Sequence, residues 1–467
     1  MADEEVEEFM EEEFEETVET EDIEDSVEEE IEDEDSVEEM EEEIEDESDI
    51  DSETESDFDN NDSLSMGEGG FESDGDSFTE VSEEGWFSRI GGAIKGVIAG
   101  IVLFLVAFPV LWLNEGRAVK TSKSLEEGAR AVVAIQADKV NSGNEGKLVH
   151  LTGKADTKET LKDSVFGISV NAIKLIRNVQ TYQWEENKST KEEKKLGGKK
   201  VKKTTYSYSK VWNSSLIDSS SFKKRTGHQN PKSVTYSATT QIAQKVSLGA
   251  FELNGSLKSS IGGGKSLPAK LENLPANLKS KIVLDGNSFY FRAKQTTITD
   301  QSGNIKIMPI DTNKPKVGDQ RISFTVVKPA QVSVIAKQIK NTFEAYKTKV
   351  GGTISRLEMG TVSAAKMFEN AQSENTVLTW ILRIVGFLLM FIGINLIFKP
   401  LSVIGDIVPF IGSIISFGTG IIAFIIATFF SVITIAIAWI VYRPVLGISL
   451  ILVAVAISAG VYFAKKK

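Results

Sequence analysis

Residues 380–398 read WILRIVGFLLMFIGINLIF, an apolar run with a single charge, Arg383, near its start. An α-helix rises about 1.5 Å per residue, so a run of this length crosses a hydrocarbon core of about 30 Å. Two further apolar runs follow, and the sequence predicts their spans at about 413–439 and 445–464. A soluble core helix is a poor alternative, because runs this long and this free of charge are typical of membranes. The block 380–464 is therefore predicted to hold three transmembrane helices.

A hydrophobic stretch earlier in the chain is predicted to be the first span, at residues 93–113. Its uncharged centre is short for a span, and Trp86 just before it is placed to lie at headgroup depth. Four spans put both chain ends on one side of the membrane. The positive-inside rule assigns Lys399 and the basic end at 465–467 to the cytoplasm, which leaves residues 114–379 as a lumenal or periplasmic domain.

The charges are divided between two parts of the chain. Residues 1–85 carry 44 Asp and Glu and no Lys or Arg, whereas the rest carries 24 acidic against 51 basic residues, a net of +27. A segment so charged buries too little apolar area to offset its chain entropy, so residues 1–85 are predicted to be a disordered acidic cytoplasmic tail. With this topology, the tail and the basic domain face opposite compartments and do not neutralise each other.

The polar region 114–379 is rich in β-branched and aromatic residues, which predicts a strand-dominated domain. Within it, residues 185–203 are predicted to be a charged, mobile loop with Gly197 and Gly198 at a hairpin tip. The fold class is therefore α+β, a polytopic membrane protein with four transmembrane α-helices, a large strand-rich extracytoplasmic domain and a disordered acidic N-terminal tail. Predicted strands lie at 148–151, 168–182, 204–212, 282–284, 289–291, 321–327, 331–336 and 342–346.

The sequence contains few residues from which a catalytic site could be built. It contains no Cys and two His, and it lacks a nucleophile elbow, a phosphate loop and a dinucleotide fingerprint. His150 lies in an apolar strand, which favours a packed core residue over a ligand-binding one. His228 lies in a turn that it either holds through hydrogen bonds or uses to bind a ligand. We therefore expect no enzymatic activity, cofactor, metal site or nucleic-acid partner.

Small residues at helical spacing mark the third predicted span. Ser416, Gly420, Ala423 and Ala427 permit another helix to approach closely. Two interpretations follow from this pattern: the small residues pack inside the helix bundle, or they form a self-association face between copies of the chain.

Five short motifs lie in a fixed order around the predicted spans. One follows the first span directly, two lie in the strand-rich domain and two lie in the membrane block. Their residues are Asn114, Glu115, Gly116, Arg117, Tyr206, Tyr208, Trp212, Gly227, His228, Asn230, Pro231, Trp380, Arg383, Tyr442, Arg443 and Pro444. In order, spacing and placement, the motifs resemble the transmembrane protein 43 family, also called LUMA, over roughly residues 93–464.

The resemblance implies a multi-pass membrane scaffold that self-associates and helps to organise a membrane. In a eukaryote it implies the endoplasmic reticulum and the inner nuclear membrane, and in a bacterium the corresponding location is the inner, cytoplasmic membrane. The alternative function is an accessory or receptor subunit of a membrane protein complex, with the extracytoplasmic domain as its binding module. The expected partners are the lipid bilayer, a second copy of the chain, and anionic lipids or other membrane proteins.

Anionic lipids are expected because residues 114–379 carry about 20 excess positive charges beside a bilayer. The plainer interpretation is that these charges only keep the domain soluble. The candidate contacts are the loop lysines Lys191, Lys194, Lys195, Lys199, Lys200, Lys202 and Lys203.

Overall fold

A computed structural model of the chain describes residues 77–294, 297–299, 305–449 and 452. Residues 1–76, most of the predicted fourth span at 445–464 and the terminal lysines 465–467 lie outside this part. The disorder of the tail and the presence of a fourth span therefore stay predictions.

The helices are α1 (Trp86–Ala131), α2 (Gly255–Ser260), α3 (Ala364–Gly405) and α4 (Pro409–Tyr442). Three of them, α1, α3 and α4, are long and apolar enough to cross a membrane. Each contains one of the predicted spans at 93–113, 380–398 and 413–439. Helices α1 and α3 also continue past their apolar parts, so residues 114–131 and 364–379 are helical extensions of membrane helices.

Glycine allows α1 and α3 to pack with their backbones almost in contact. A Cβ atom built on Gly100 would lie 2.6 Å from the carbonyl oxygen of Gly393, and one built on Gly393 would lie 2.7 Å from that of Gly100. Such close approach is typical of membrane helices, whose association depends on van der Waals packing. Helix α4 joins the same apolar cluster through Ala423 and Ala427, which are both fully buried.

The strands of the described part have the following bounds: β1 Ser77–Glu84, β2 Val133–Ala134, β3 Leu148–Asp156, β4 Thr160–Asp163, β5 Ile168–Asn171, β6 Lys174–Lys194, β7 Lys200–Asn213, β8 Thr239–Ile242, β9 Ser247–Leu248, β10 Phe251–Glu252, β11 Lys265–Leu267, β12 Ile282–Asp285, β13 Ser288–Phe291, β14 Thr297–Thr299, β15 Ile305–Ile307, β16 Gln320–Val327, β17 Ala330–Ile339, β18 Thr342–Glu344, β19 Tyr346–Lys347, β20 Thr353–Ile354 and β21 Arg356–Met359. Most of the predicted strands are thereby confirmed.

Two sheets form the body of the domain. In the larger one the strand order is β1-β7-β6-β16-β13-β12, with β11 beside β16 and β8 beside β6. In the second one the order is β10-β9-β3-β17-β18, with β2 beside β3 and β21 beside β17. Three two-stranded ribbons, β14 with β15, β19 with β20 and β4 with β5, complete the described strands.

Alternation of apolar residues explains why these segments form sheets. In β16, Ile322, Phe324 and Val326 are buried and the residues between them are half-exposed. Phe324 belongs to an aromatic cluster in which the rings of Phe166 and Phe289 stack with centroids 5.6 Å apart. Both sheets contribute to this single core.

Strands β6 and β7 extend beyond the sheet as a paired ribbon, residues 182–213, which we call the arm. Its register runs from Thr181 opposite Asn213 to Lys194 opposite Lys200. Gly197 and Gly198 form the tip with φ angles of +83° and +76°, a conformation that favours glycine. The predicted hairpin tip is confirmed, whereas the prediction of a loop over residues 185–203 is wrong, because cross-strand pairing continues to the tip.

Strand β1 lies in the segment that the composition assigned to the disordered tail. It pairs with β7 along its whole length, with Ser77 opposite Ser207 and Glu84 opposite Lys200. The predicted tail boundary at residue 85 is therefore too late by at least eight residues. Composition missed this strand because its few β-forming residues lie among carboxylates and its partner strand is far along the chain.

A second, smaller core fastens the domain to the helices. Leu125 from α1 and Met367 and Phe368 from α3 pack with Leu148 and Ile335 of the second sheet. The helices are close here too, because a Cβ atom built on Gly128 would lie 2.9 Å from the Phe368 ring. The helical extensions of α1 and α3 are therefore part of the domain core as well as part of the bundle.

The packing at Gly393 generates a stability prediction. Gly393→Ala forces a methyl group against the α1 backbone, and we expect a loss of about 1–3 kcal/mol in stability and a lower Tm in detergent micelles. The matched control is Gly418→Ala in α4, where a Cβ atom meets open space. It should leave Tm unchanged or raise it, because Ala favours helix over Gly. Equal Tm values for the two variants would contradict the close packing.

Candidate functional site

A buried polar network lies where α1, α3 and α4 meet, at the domain end of the bundle. Glu115 on α1 is completely buried. Its carboxylate accepts hydrogen bonds from Arg383 Nε at 2.6 Å, Arg383 Nη2 at 2.9 Å and Trp439 Nε1 at 2.8 Å. One carboxylate thereby binds a donor from each of the other two membrane helices. Glu115 thereby neutralises Arg383, the single charge of the apolar run 380–398.

A second layer of hydrogen bonds ties α1 to α3 beside Glu115. Asn114 Nδ2 donates to the carbonyl oxygen of Thr379 at 3.0 Å, and Arg117 donates to Asn375 Oδ1 at 3.1 Å and to Thr379 Oγ1 at 3.1 Å. Asn375 Nδ2 in turn donates to the carbonyl oxygen of Ala118 at 3.0 Å. Bonds between side chain and backbone in both directions fix the relative register of the two helices.

Aromatic rings close the network on the α4 side. The Arg383 guanidinium lies 4.8 Å from the Trp380 ring centroid and 5.5 Å from that of Trp439, so the cation is covered by two indoles. Tyr442 packs against the α1 backbone, because a Cβ atom built on Gly116 would lie 2.8 Å from its ring. The structure therefore brings together residues from three of the five motifs.

Helix α4 ends at the motif Tyr442-Arg443-Pro444. The backbone N–H of Arg443 donates to the carbonyl oxygen of Trp439 at 2.7 Å as the C-terminal cap. Pro444 follows, and a proline has no N–H with which to continue the helical hydrogen bonds. The pair fixes where α4 ends and so keeps Tyr442 and Trp439 in their positions.

The remaining motifs meet at the base of the arm in an aromatic cluster. The His228 ring stacks on Tyr208 with centroids 4.0 Å apart and meets Trp184 edge-on at 4.5 Å. Its Nδ1 is 2.9 Å from the carbonyl oxygen of Lys224, so His228 holds the loop, which is one of its two predicted roles. Burial and a hydrogen bond to Glu186 raise the pKa of Tyr208 to about 12.

Asn230 ties the loop that carries His228 to the arm. Its side chain accepts from Trp184 N at 2.7 Å and donates to the carbonyl oxygens of Trp184 and Ile217. The neighbouring Pro231 is half-buried, and Gly227 has a φ of +87° in the turn before His228. These motif residues are therefore structural supports of the arm.

Tyr206 and Trp212 are the outer residues of the arm motif. The Trp212 ring is covered by the Arg321 guanidinium at 4.2 Å, and the buried Tyr206 packs in the cluster with Phe222.

His150 is half-buried, with Nε2 2.9 Å from the carbonyl oxygen of Val362. Among the residues that the structure describes, no group of three or more His, Asp or Glu side chains is arranged to hold a metal ion.

The tip of the arm forms a third polar site, which sequence reasoning missed. Asp406, at the end of α3, is 1% exposed and pairs with both Arg89 at the start of α1 and Lys194, the latter at 2.8 Å. Gly197 N donates to the carbonyl oxygen of Ile407 at 2.9 Å. The tip is also held by Arg89, which donates to the carbonyl oxygen of Gly198 at 2.6 Å. A signal was present, because Asp406 is the one acidic residue in the sequence after residue 379.

The arm and α1 connect the same two ends of the bundle. Trp86 begins α1 beside the arm tip, and its Nε1 donates to the carbonyl oxygen of Val403 at 2.9 Å. Leu125, near the other end of α1, lies in the domain core. Lysine side chains and an open strand edge are not stable against acyl chains. We therefore expect water or protein, and not lipid, on the side of the bundle along which the arm runs.

These features define an integral membrane protein whose apolar helices continue into a strand-rich domain. Residues 181–444 match the sequence profile of the family described as Transmembrane protein 43. The chain is 34% identical to Transmembrane protein 43 of Mus musculus over 378 residues, covering 78% of this chain and 89% of the relative. It is 33% identical to that of Homo sapiens over 392 residues, covering 80% and 92%. A Drosophila melanogaster homolog is 28% identical over 360 residues, covering 76% and 90%.

The chain therefore belongs to the Transmembrane protein 43 family, and the resemblance seen in its motifs is confirmed. The names of these relatives state a transmembrane protein and no enzymatic activity. No solved structure matches the chain.

The Glu115 network predicts a large energetic coupling. Glu115→Gln and Arg383→Gln each leave a buried polar or charged partner uncompensated, so we expect each to cost about 3–5 kcal/mol of stability in mixed-micelle unfolding. Replacing both residues with Met should recover most of this loss, because an apolar pair needs no counter-charge.

The matched control for this cycle is the exposed ion pair between Lys366 and Glu369. Its removal should change stability by about 0.5 kcal/mol or less, because exposed pairs are screened by solvent. If the Glu115 variants lose no more stability than this control, the network does not hold the helices together.

The contacts of the arm tip predict which residues lie on the same side of the membrane. The chain has no native Cys, so single cysteines report cleanly. Lys195→Cys at the arm tip and Lys399→Cys on α3 should react with a membrane-impermeant maleimide from the same side of sealed vesicles. The topology predicted from charge puts the arm and Lys399 on opposite sides of the bilayer. That topology does not fit the ion pair between Lys194 and Asp406. Labelling of the two positions from opposite sides would contradict the tip contacts.

Proposed function

We propose that the protein is a membrane scaffold that carries its strand-rich domain rigidly on a helix bundle. The observation that carries the proposal is the continuity of α1 and α3 from the bundle into the domain core, fixed at the boundary by Glu115 and Arg383. A scaffold needs a fixed relation between membrane and domain, whereas a flexible linker would not transmit position or force. The buried charges of the network are paired with each other, which suits a structural role.

Membership of the family supports the finer parts of the proposal. The scaffold self-associates and helps to organise the membrane in which it lies. In a eukaryotic cell this membrane is that of the endoplasmic reticulum and the inner nuclear membrane, and in a bacterium it is the inner membrane. Anionic lipids are proposed ligands of the basic surface of the domain.

The proposed self-association uses a face of α4 other than Ala423 and Ala427. Both residues are buried within the bundle, which supports the interpretation that they serve internal packing. Gly420 is half-buried and Ser416 is exposed. The outward side of α4 presents Phe417, Ile421 and Ile425, all largely exposed within the single chain. We propose that this outward face contacts a second copy.

The alternative function, an accessory or receptor subunit, is favoured by a cleft at the junction of bundle and domain. The cleft has a volume of about 390 Å³. Arg117, Arg356 and Glu374 are among its lining residues, and a charged cleft of this kind suits a polar or charged group of a partner. Purification in mild detergent separates the two functions. The scaffold yields copies of this chain, and the subunit yields a second protein in fixed ratio.

The scaffold proposal predicts position-dependent crosslinking. With Ile421→Cys or Ile425→Cys in native membranes, mild oxidation should give disulfide-linked dimers, because both side chains point away from the bundle. Ala427→Cys is the matched control on the same helix, and it should remain monomeric because its side chain is inside the bundle.

Co-purification of two differently tagged copies provides an independent measure of the same proposal. Dimers at the outward positions together with co-purification support self-association through α4. Failure of both measurements at native expression levels would overturn self-association. Crosslinking of Ala427→Cys at the level of the outward positions would show that the bundle differs from the one described.

A further inference from the structure

The cleft at the junction of bundle and domain is enclosed by three parts of the chain. Its lining includes Arg117 and Thr121 of α1, Glu374 and Asn375 of α3, and residues 353–356 from β20 and β21. Its volume of about 390 Å³ lies within the range of about 300–1,000 Å³ that small-ligand sites occupy. The cleft is therefore large enough for a small polar group, and the chemistry of its walls determines which kind.

Arg117 is a half-buried cation without an anionic partner in the described part of the chain. Its guanidinium donates to Asn375 Oδ1 at 3.1 Å, to Asn114 Oδ1 at 3.2 Å and to Thr379 Oγ1 at 3.1 Å, and each of these acceptors is neutral. The nearby Glu115 is already neutralised within its own ion pair. The buried Nε of Arg117 likewise has no hydrogen-bond partner among the described residues. Buried charges in proteins are normally paired, so Arg117 is held in a fixed orientation but lacks a counter-charge.

Arg356 brings a second guanidinium to the lining of the cleft. It donates to Glu374 at 2.7 Å, and Glu374 is the one acidic residue among the described lining residues. Two guanidinium groups against one carboxylate give this lining a net charge of +1. The hydroxyl groups of Thr121 and Ser355 belong to residues of the same lining. Arginine and hydroxyl side chains are the groups with which proteins bind phosphate oxygens, so the cleft suits a phosphate.

The cleft lies at the depth of the lipid headgroups. Arg117 is four residues beyond Leu113, where the first apolar run ends, and Asn375 is five residues before Trp380, where the second begins. At about 1.5 Å per residue, these positions are about 6–8 Å outside the hydrocarbon core, and the headgroup layer is about 5–8 Å thick on each side. Trp380 is 58% exposed, as expected of an indole at the interface.

The side of the cleft that faces the membrane is apolar. Leu378 belongs to the lining and is exposed, and Ile381, one turn further into the bundle on the same face of α3, is exposed as well. An apolar strip therefore leads from the cleft onto the surface that acyl chains contact. A phosphate that is attached to acyl chains matches both the cations and this strip, whereas a free phosphate matches only the cations.

We propose that the cleft binds the phosphate group of an anionic phospholipid, with Arg117 and Arg356 as its cations. The acyl chains leave the cleft past Leu378 and lie against α3. The bound lipid supplies the counter-charge of Arg117 and connects the helical extensions to residues 353–356 at the membrane surface. This inference rests on the proposed binding of anionic lipids, and it assigns to that binding a site other than the basic surface of the domain.

Native mass spectrometry of the full chain in mild detergent tests the site, with phosphatidic acid, phosphatidylcholine and inorganic phosphate as the probes. Phosphatidic acid should be retained as one molecule per chain. Phosphatidylcholine should bind about tenfold more weakly, because its choline brings a positive charge towards the two guanidinium groups. Inorganic phosphate at equal concentration should not displace phosphatidic acid, because it lacks the acyl chains that contact Leu378 and Ile381.

Matched variants assign the binding to the cleft. Ser355→Glu adds a carboxylate to the lining and should weaken phosphatidic acid binding about tenfold, whereas Ser355→Gln, with an amide of similar size, should not. Arg117→Gln should have an effect similar to that of Ser355→Glu, and Lys120→Gln, at an exposed position of the same helix, should have none. Because Arg117 also holds α1 to α3, Tm is measured for each variant, and the Ser355 pair decides if Arg117→Gln does not fold.

The outcomes separate the cleft from the general binding of anionic lipids. Loss of phosphatidic acid in Ser355→Glu with retention in Ser355→Gln supports the cleft. Equal binding by both variants overturns the cleft and leaves anionic lipids on the basic surface of the domain. If the unaltered chain does not prefer phosphatidic acid to phosphatidylcholine, both the cleft and the proposed binding of anionic lipids are overturned.

Two further outcomes assign the cleft to another ligand. Displacement of the lipid by inorganic phosphate at equal concentration assigns it to a free anion. A second protein that co-purifies with the chain and is released by Ser355→Glu assigns it to a protein partner. Either result overturns the inference.

Discussion

Glu115 places a fully buried carboxylate at the point where three membrane helices meet, and such a charge is stable only with partners on every side. Arg383 supplies the counter-charge from α3, and Trp439 supplies an indole N–H from α4. Loss of Arg383 would leave the Glu115 charge uncompensated, and loss of Trp439 would leave the carboxylate one hydrogen bond short. The crossing of α1, α3 and α4 is therefore fixed at this level. Because α1 and α3 continue from there into the domain core, the position of the strand-rich domain is fixed with it.

The arm sets a second constraint at the other end of the bundle. Asp406 holds the arm tip through Lys194 and holds the start of α1 through Arg89. Polar networks around Glu115 and Asp406 thus hold the helices in place at both ends of the bundle. A charged ribbon beside apolar helices requires that one side of the bundle be kept from acyl chains. Acyl chains therefore contact only part of the circumference of the bundle.

The sequence predicted the elements better than their contacts. Length and lack of charge were sufficient to place three membrane helices, and alternation located most strands of the domain. Strand β1 and the strand pairing of arm residues 185–203 were not predicted, because charged residues mask β-strands whose stability comes from pairing with a distant segment. Motif residues such as Glu115 and Arg383 were identified through family resemblance, but their pairing joins positions 268 residues apart, which no local pattern reveals. For the same reason no role was predicted for Asp406, although three segments of the chain converge on it.

Bundle and domain form one unit, joined through the helical extensions 114–131 and 364–379. Amide hydrogen exchange of the full chain in nanodiscs tests it most directly, because exchange reports local opening free energies along the chain. Both extensions should exchange as slowly as β3 and β17 in the domain core. Exchange in these extensions as fast as in the exposed loops of the domain would show a hinge at the junction and would contradict a rigid connection between bundle and domain.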